Sequence, residues 1–502
     1  MTNGKGILFG FALILAVVIS SGRVFAAGPL KIMDNAARME SSQFSLELQH
    51  YTGNLADLPI GVFDSGVGGL TVLDAIIALD EFNNLSGRSG PDGVPDFEHE
   101  RFVYLGDQAN MPYGNYPAEG KTDFLRELIV KDALFLLGNR YWPSRHAESP
   151  RFDKPQVKAI VIACNTATAY GYNDVLEGLK SWGIPVYLVG VVNAGAKGAL
   201  SATGGEGAVA VMATVGTCAS QGYVRAVGST WSQHGLTPPP VVQQGCLGLA
   251  GSIEGDASFI GAGVQNYKGP SQSNPSATIE QSLLDRYGFE QQGLLEVGEG
   301  QLMLNSVENY VRYHALTLVE SYAATGASQP IGGVILGCTH FPFYTSLFGE
   351  AFSRLRTLEI VEGGKTVHPY RALLAESVIF IDPARDTAVE LYEELHGKGL
   401  LLKGAEDCVI RTDEFYISVT SPVLEGAELD GTGAFSYEYK YGRDPGWLAG
   451  EYVRRVPMTR ASMLPDAAAM VQQKLPSIWD RLLEFNARSP RLEGAKKQEL
   501  LN

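Results

Sequence analysis

Ala159-Ile-Val-Ile-Ala-Cys164-Asn-Thr166 is echoed later in the chain by Gly333-Val-Ile-Leu-Gly-Cys338-Thr-His340. Each stretch is a short apolar run, a small residue, a cysteine and then polar side chains. Apolar runs of this length, bounded by small and polar residues, are typical of buried strands in parallel sheets. Ligands of such sheets bind outside the carboxyl ends of the strands. The two cysteines are therefore predicted to lie where a ligand would bind.

The same alternation of Val/Ile-rich runs and helix-spaced apolar residues begins near Leu58. Strands are predicted at 59–63, 101–106, 157–163, 185–190, 208–213, 239–243, 332–337 and 378–382. Helices are predicted at 70–79, 123–137, 167–182, 302–323 and 384–395. A looser echo between 60–66 and 209–217 suggests two related halves. The predicted fold class is α/β: two similar doubly wound α/β domains with the active site in the cleft between them, plus a C-terminal β-rich extension.

Composition and breaker residues suggest the division of the 502-residue chain. The first domain is predicted to take 27–192 plus about 358–400, and the second 193–357. Residues 401–502 form a C-terminal extension that packs on the first domain, with strands at 414–420 and 435–441 and a helix near 464–486. Three stretches are predicted to be surface insertions, because they are rich in turn-forming residues and lack periodicity: 82–100, 143–156 and 248–298.

The N-terminus resembles a secretory signal peptide over residues 1–26. Lys5 precedes an apolar stretch at 7–20, and Val24-Phe25-Ala26 supplies a small-residue cleavage site. The mature protein is predicted to be exported, to the periplasm, and to have no membrane contact after cleavage. Arg23 beside the cut leaves an alternative, in which an uncleaved signal anchors the chain.

Thirty-nine basic and fifty-five acidic side chains give a net charge of −16. This balance, with no long basic run, argues against nucleic acid or an anionic membrane surface as a partner. An acidic small molecule would also be weakly repelled. A site for one must therefore supply its own local hydrogen-bond donors.

The five cysteines are an odd number in a large chain, which does not suggest a disulfide framework. Cys218, Cys246 and Cys408 are predicted to be structural, as small apolar side chains. Acidic residues at 91–98 have a spacing that faintly resembles a calcium loop, but the full ligand set is missing. A turn-rich surface loop is favoured there, and no metal site is predicted.

Two thiols facing one cleft suit the inversion of a carbon centre. A single base that removes an α-proton tends to return it to the same face, whereas two opposed acid/bases invert the centre. A thiol with an ordinary pKa of about 8.5 can take either role near neutrality when nearby donors lower that value. Cys164 and Cys338 are the predicted pair.

At this point the sequence resembles a known family, the glutamate racemases of the aspartate/glutamate racemase superfamily. The motifs that carry the resemblance follow in family order over most of residues 58–390: Ile60-Gly-Val-Phe-Asp64-Ser65-Gly-Val-Gly-Gly-Leu-Thr-Val-Leu73, Tyr104-Leu-Gly-Asp107, Pro112-Tyr113-Gly114, Cys164-Asn165-Thr166-Ala-Thr168, Ala213-Thr214-Val-Gly216-Thr217-Cys-Ala-Ser220-Gln-Gly-Tyr223 and Gly337-Cys338-Thr339-His340. The signal segment and the C-terminal extension are not typical of the family.

The resemblance implies a role for each matching position. Cys164 and Cys338 would be the catalytic acid/bases, assisted by Asp64 and His340. The implied substrate-binding residues are Asp64, Ser65, Tyr113, Gly114, Asn165, Thr166, Thr214, Thr217, Ser220, Thr339 and His340. Asp107 and Glu254 match two further acidic positions, although Leu247 stands where the family usually has a proline and loosens the alignment at Glu254. The resemblance implies a free acidic amino acid as substrate and no cofactor, and it allows a homodimer.

Several alternatives stay open. Asp64 or Ser65 could cap the following helix, and Asp107 and Glu254 could be solvated acids. Gly66-Val67-Gly68-Gly69 superficially resembles a dinucleotide loop, but the spacing is incomplete and Asp64 would oppose phosphates. Glutamate is the favoured substrate and aspartate the nearest alternative. A non-catalytic exported protein that binds an acidic amino acid is a second hypothesis, and a decarboxylase or other isomerase of the same superfamily is a third.

Overall fold

The computed structural model describes residues 30–37, 44, 46, 51, 53–254, 259–261, 267–297, 301–404, 407–429 and 433–501. The predicted signal segment, 1–26, lies outside these described residues. Within them, none of the helices has the length and apolar character needed to cross a bilayer.

The strands of the described part are β1 (Ile60–Asp64), β2 (Phe102–Gly106), β3 (Ala159–Ile162), β4 (Tyr187–Gly190), β5 (Ala208–Ala213), β6 (Val241–Gly245), β7 (Leu294–Val297), β8 (Gln301–Leu304), β9 (Ile331–Gly337), β10 (Ile360–Glu362), β11 (Lys365–Val367), β12 (Leu374–Ile381), β13 (Glu414–Thr420) and β14 (Val453–Pro457). The helices are α1 (Lys31–Ala37), α2 (Leu70–Ile77), α3 (Thr122–Leu137), α4 (Asn165–Trp182), α5 (Val191–Thr203), α6 (Val215–Ala219), α7 (Gly222–Gln233), α8 (Leu249–Glu254), α9 (Leu284–Tyr287), α10 (Val307–Ala324), α11 (Thr345–Thr357), α12 (Pro383–Gly397), α13 (Tyr437–Gly442), α14 (Pro465–Lys474) and α15 (Pro476–Arg488).

Two separate sheets form the core of the molecule. The first sheet has the order β14-β13-β2-β1-β3-β4, and the second has the order β12-β9-β5-β6. All pairs in both sheets are parallel except β13 with β14. The central strands β1, β3 and β5 are buried along their whole length, as expected for strands covered by helices on both faces. The predicted α/β class with two parallel sheets and added C-terminal strands is confirmed.

The two cysteine strands lie at matching places in the two sheets. β3 is next to β1 in the first sheet, and β9 is next to β5 in the second. Each is a run of Val, Ile and Leu that ends in a small residue directly before the cysteine. The carboxyl ends of neighbouring parallel strands share one edge, so Cys164 lies beside Ser65 and Cys338 lies beside Thr214.

The strand at 374–381 differs from the predicted domain division. Residues 358–400 were assigned to the first domain, but β12 pairs with β9 in the second sheet. The helix that follows, α12, packs against α5 and also against α2 and β4. The chain therefore returns to the first sheet only after β12, through the helix α12 rather than through a strand.

The C-terminal extension enlarges the first sheet. β13 pairs in parallel with β2, and β14 pairs antiparallel with β13 at the edge. The predicted strand at 435–441 is wrong: Tyr437–Gly442 is a helix, whose first turn is capped by the Ser436 hydroxyl accepting the N–H of Tyr439. The predicted helix near 464–486 is two helices, α14 and α15, and Pro476 begins the second.

The insertions contain little regular structure, as predicted. Residues 82–100 form turns joined by an isolated bridge between Phe82 and Ser89, and the Asp80, Asp92 and Asp96 carboxylates accept backbone N–H groups of this loop. The described part of 248–298 holds two short helices, α8 and α9, and the hairpin strand β7. The strand partner β8 occupies 301–304, so α10 begins at Val307 rather than at 302.

Phe485 fastens the C-terminal extension to the first sheet. It is fully buried, with its ring 5.9 Å from that of Phe415 and 6.4 Å from that of Tyr416. Phe485→Ala would leave a cavity between α15 and β13, and we expect a loss of about 3–5 kcal/mol in the free energy of unfolding. Urea unfolding followed by tryptophan fluorescence measures the change. Arg488→Ala on the same helix is the control, expected to cost under about 0.5 kcal/mol because its ion pair with Glu484 is exposed. Equal stability of both variants would contradict the packing described.

Candidate active site

A buried carboxyl group ends β1. Asp64 Oδ2 accepts hydrogen bonds from the backbone N–H groups of Gly66 (3.1 Å) and Gly69 (2.9 Å). Gly69 has no space for a side chain, because a methyl group there would lie 2.4 Å from Asp64 Cβ. Burial raises the pKa of Asp64, and the hydrogen bonds offset this only in part. Residues 65–69, called here the glycine loop, therefore fold around a carboxyl group that binds a proton more readily than an exposed aspartate.

Cys164 follows β3 and caps helix α4. Its Sγ accepts the N–H of Ala167 at 3.4 Å, and its thiol contacts Ser65 Oγ at 3.7 Å. Burial, and next the negative charge of Asp64, raise the pKa of Cys164 to about 12. The donors at the start of α4 lower it by less than these two effects raise it. At neutral pH, Cys164 is therefore a protonated thiol.

Cys338 follows β9 and is buried to the same degree as Cys164. Its Sγ lies 3.8 Å from Nδ1 of His340. The Phe341 N–H donates to the Cys338 carbonyl at 3.0 Å, and this tight turn brings the imidazole back over the thiol. The two cysteines therefore have different neighbours: a carboxyl group beside Cys164 and an imidazole beside Cys338.

The glycine loop brings these two groups together across the two sheets. A methyl group placed on Gly68 would lie 3.3 Å from Thr339 Oγ1, 3.7 Å from His340 Cε1 and 3.6 Å from Asp64 Oδ2. The loop after β1 therefore touches the residues that follow Cys338. The glycine loop therefore contacts three of the four predicted catalytic residues: Asp64, Cys164 through Ser65, and His340. Cys338 joins this cluster through His340.

Tyr223 is a second contact between the sheets, and it was not among the residues predicted to form the site. Its hydroxyl donates to Asn165 Oδ1 at 2.7 Å, next to Cys164. Its ring lies against Gly337, where a methyl group would lie 2.7 Å from Tyr223 Cε2, next to Cys338. Burial and nearby acidic groups raise the pKa of Tyr223, so the phenol keeps its proton. Tyr223 ended one of the quoted motifs, but no periodicity or spacing marks a tyrosine as a link between two strand ends.

The three hydroxyl residues of the α6 region are not equivalent. Ser220 is buried, and its hydroxyl donates to the Thr217 carbonyl and accepts the N–H of Gly222. Thr214 caps α6, accepts the N–H of Thr217 and donates to Thr217 Oγ1 at 3.0 Å. Thr214 is half-buried, whereas Thr217 and Ser220 are buried. Thr214 is therefore the member of this set that is placed to meet a ligand.

The Tyr113 side chain points away from a ligand position. Its hydroxyl is 2.6 Å from both Asp107 Oδ2 and Asp132 Oδ2, and all three side chains are buried. Gly114 faces α6, because a methyl group on Gly216 would lie 2.9 Å from Gly114 Cα. The backbone of 113–114, and not the phenol, is the part that can contact a substrate. Asp107 is a partner of site residues and not a solvated acid.

The remaining candidates line the same edge. Ser65, Asn165 and Thr339 are half-buried, and Thr166 is buried in the first turn of α4. These residues offer hydroxyl and amide groups as local donors, the feature required for an acidic ligand in a chain of this net charge. The Glu254 side chain lies outside what the structure describes, and its predicted role stays a prediction. All five cysteines are described, and none is in a disulfide.

Comparison with known proteins agrees with the resemblance in the motifs. No family model matches the chain. Glutamate racemase of Streptococcus equi subsp. equi is 36% identical over 165 residues, 33% of this chain and 46% of the relative. Glutamate racemase of Thermus thermophilus is 35% identical over 187 residues, 37% of this chain and 55% of the relative. The chain thus spans about half the length of the curated relatives it matches.

Solved structures of glutamate racemases also align with this chain. Glutamate racemase of Bacillus anthracis aligns with a TM-score of 0.41 and 24% identity, over 69% of this chain and 85% of that one. Glutamate racemase of Francisella tularensis, solved in complex with D-glutamate, aligns with a TM-score of 0.40 and 18% identity, over 78% of this chain and 96% of that one.

The high pKa of Cys164 predicts how its alkylation depends on pH. Only the thiolate reacts, so the iodoacetamide rate at Cys164 should rise about tenfold per pH unit from 8 to 10 without levelling off. Peptide mass spectrometry after timed quenching measures this rate. Asp64→Asn removes one charge that raises the pKa, and we expect faster alkylation at every pH.

A short, unstructured capped peptide with one cysteine is the control for the reagent, since an ordinary cysteine thiol levels off above its pKa of about 8.5. A plateau at Cys164 below pH 9 in the folded protein would contradict the assignment of a raised pKa.

Proposed function

We propose that this chain is a cofactor-independent amino-acid racemase that interconverts L- and D-glutamate by proton transfer between Cys164 and Cys338. The observation that supports it is the placement of two buried thiols at corresponding strand ends of two sheets, joined through the glycine loop. The likeness of about a third of the chain to glutamate racemases supports the same reaction.

The two thiols take opposite parts in the reaction. Cys164 is protonated at neutral pH, so it is the proton donor when the α-proton leaves toward Cys338. Cys338 must then act as thiolate, and His340 at 3.8 Å is placed to accept the proton of that thiol. The Cα–H bond breaks toward Cys338 while Cys164 delivers its own proton to the opposite face of the carbanion. One proton enters the substrate and one leaves it.

The opposite enantiomer requires Cys164 to lose its proton first. The Asp64 carboxyl group contacts the Cys164 thiol, and its raised pKa makes it a better proton acceptor than an exposed aspartate. Carboxyl and imidazole thus serve the same purpose for the two thiols. Because a carboxyl group assists one thiol and an imidazole assists the other, the two directions are expected to have different pH dependences.

The substrate is proposed to be glutamate on the basis of the relatives, and aspartate is the alternative. Both carry two carboxylates and one ammonium group, and they differ by one methylene. The half-buried donors at the edge, Ser65, Asn165, Thr214 and Thr339, can bind carboxylates without a cation. One methylene is worth only about 1–3 kcal/mol of discrimination, so activity on both is compatible with the site.

Deuterium exchange tests the reaction directly. We expect L- and D-glutamate incubated in D₂O with the protein to gain α-deuterium, measured by NMR, as the enantiomers interconvert. Cys164→Ala and Cys338→Ala should each lower racemisation at least about a thousandfold, since each removes one of two essential proton carriers. Cys408→Ala, a buried cysteine outside the cluster, is the matched control and should keep the wild-type rate.

Three other outcomes separate the alternatives. Faster exchange with aspartate than with glutamate would transfer the proposal to aspartate. Loss of carbon dioxide from the substrate would indicate a decarboxylase. A third outcome would be that calorimetry detects glutamate binding, that this binding is the same in both cysteine variants, and that no amino acid exchanges its α-proton. This outcome would overturn the proposal of a racemase in favour of a binding protein.

Export is proposed on residues 1–26 alone. Fractionation of cells that express the full chain should find the protein in the periplasm, shortened at its N-terminus near residue 26 by mass spectrometry. Full-length protein in the membrane fraction would favour an uncleaved anchor, and full-length protein in the cytoplasm would contradict export. The thiol pair must stay reduced in the compartment where it acts, because the thiolate is the reactive form.

A further inference from the structure

We propose that the C-terminal extension is a positioning element for the substrate cleft, and that Arg455 acts as a positioning residue through Asp132 and Tyr113. The segment it positions is residues 107–116, called here the cleft loop. The proposal rests on the proposed function, since it concerns how that cleft holds its substrate.

The extension reaches the cleft loop because β13 runs beside β2. Glu414 to Ile417 pair with Val103 to Gly106, so β13 continues past the point where the cleft loop leaves the sheet. The next residue of β13, Ser418, accepts the Ala109 N–H at 3.0 Å through its hydroxyl. The added strand therefore contacts the loop directly after Asp107.

Helix α13 and the residue after it bind the middle of the cleft loop. Lys440 Nζ donates to the Met111 carbonyl at 2.7 Å, and the Tyr441 hydroxyl donates to the Pro112 carbonyl at 3.2 Å. Arg443 Nη2 donates to Asn110 Oδ1 at 2.8 Å and to the Tyr116 hydroxyl at 3.1 Å. Every residue from 109 to 112 thus accepts or donates a hydrogen bond to the extension.

A buried chain of polar groups fixes the following residue. Arg455 Nη2, from β14, donates to Asp132 Oδ1 at 2.8 Å, and Tyr113 bridges Asp132 and Asp107. Burial, and next the charge of Asp107, raise the pKa of Asp132 to about 8, so Asp132 holds a proton at neutral pH. A protonated Asp132 supplies the second hydrogen that two short contacts to one phenol require. Arg455 orients this carboxyl group from its other oxygen.

The cleft loop contacts the site on two sides, the glycine loop and its strand β1 on one side and α6 on the other. The Asp107 N–H donates to the Asp64 carbonyl at 2.8 Å, and a methyl group on Gly66 would lie 2.7 Å from Met111 Sδ. Gly114 lies against Gly216 of α6. A shift of the loop therefore changes the space between the glycine loop and α6, where the substrate is proposed to bind. The cysteines belong to other strands, so binding should suffer more than chemistry.

The neighbouring Arg454 provides a matched control. It belongs to the same strand and is also buried, but its Nη1 donates to the Arg145 and Ala147 carbonyls and its guanidinium lies 3.6 Å from the Trp142 ring. Because adjacent residues of a strand face opposite sides, Arg454 points away from the cleft loop. Replacing either arginine disturbs the edge of the sheet, but only Arg455→Met releases Asp132.

The experiment compares Arg455→Met, Arg455→Lys and Arg454→Met in the full chain. Arg455→Met should raise KM for glutamate about tenfold or more with kcat changed less than about threefold, because a misplaced binding loop weakens substrate positioning. Arg455→Lys should recover part of the KM. Arg454→Met should leave KM within about twofold at a similar loss of Tm.

Amide hydrogen exchange of 107–116 is the second measurement and does not require activity. It should speed up in Arg455→Met and stay at the wild-type rate in Arg454→Met.

If Arg455→Met does not fold, Ser418→Ala removes one hydrogen bond to the loop with little loss of volume and should speed up exchange at Ala109. Unchanged exchange of the loop, or a fall in kcat with constant KM, overturns the proposal. If the wild type does not racemise glutamate but amide exchange of the cleft loop is faster in Arg455→Met, the proposed function is refuted and the positioning role of Arg455 is retained.

Discussion

The hydrogen bonds from the N–H groups of Gly66 and Gly69 to the Asp64 carboxyl group hold the site together. A buried carboxyl group without such donors would be strongly destabilised. The donors are available because the chain turns back on itself directly after β1, a turn in which Gly69 leaves no space for a side chain. The same turn presents Gly68 to Thr339 and His340 and receives the Tyr104 hydroxyl at the Gly66 carbonyl. A local backbone feature of the first sheet thereby sets the distance to the second.

The parallel strands were predictable because each is a short run of Val, Ile and Leu between polar or glycine-rich segments. All eight strands predicted between residues 58 and 400 exist. Helix α5 was missed because Val191–Thr203 is rich in Ala and Gly, so its buried face consists mostly of small side chains. This face packs against α7 and α12. The segment 435–441 alternates aromatic and polar residues as strands do, but the Ser436 cap and packing decide for a helix. Strand β12 was predicted from its apolar residues. Its pairing with β9 was not, because the hydrophobic pattern of a strand does not specify the neighbouring strand.

The candidate site divides in the same way. Cys164 and Cys338 were predicted as a pair because each follows an apolar strand, whereas Asp64 and His340 were implied by the motifs of the family. In the structure, Asp64 accepts hydrogen bonds from the glycine loop, and the same loop lies against His340. Tyr113 and Ser220 were implied by the resemblance as substrate-binding residues, but in the structure the Tyr113 hydroxyl donates to Asp107 and the Ser220 hydroxyl donates to the Thr217 carbonyl. Tyr223 and Arg455 were missed, since their importance lies in partners far away in sequence. Hydrogen-bond partners over 58 or 323 residues are tertiary facts that spacing cannot reveal.

The buried charges of the extension are not explained by stability alone. Burying an arginine carries a desolvation penalty, and well-packed apolar residues often stabilise a core as well or better. Arg443 lies among the rings of Phe124, Phe435 and Tyr452, at 4.6 to 5.0 Å from their centroids, which offsets part of that penalty. What apolar residues cannot do is direct a hydrogen bond to Asn110 or orient the Asp132 carboxyl group. The geometry of these arginines serves the position of a loop, and the position of that loop determines the shape of the cleft that the glycine loop closes from the other side.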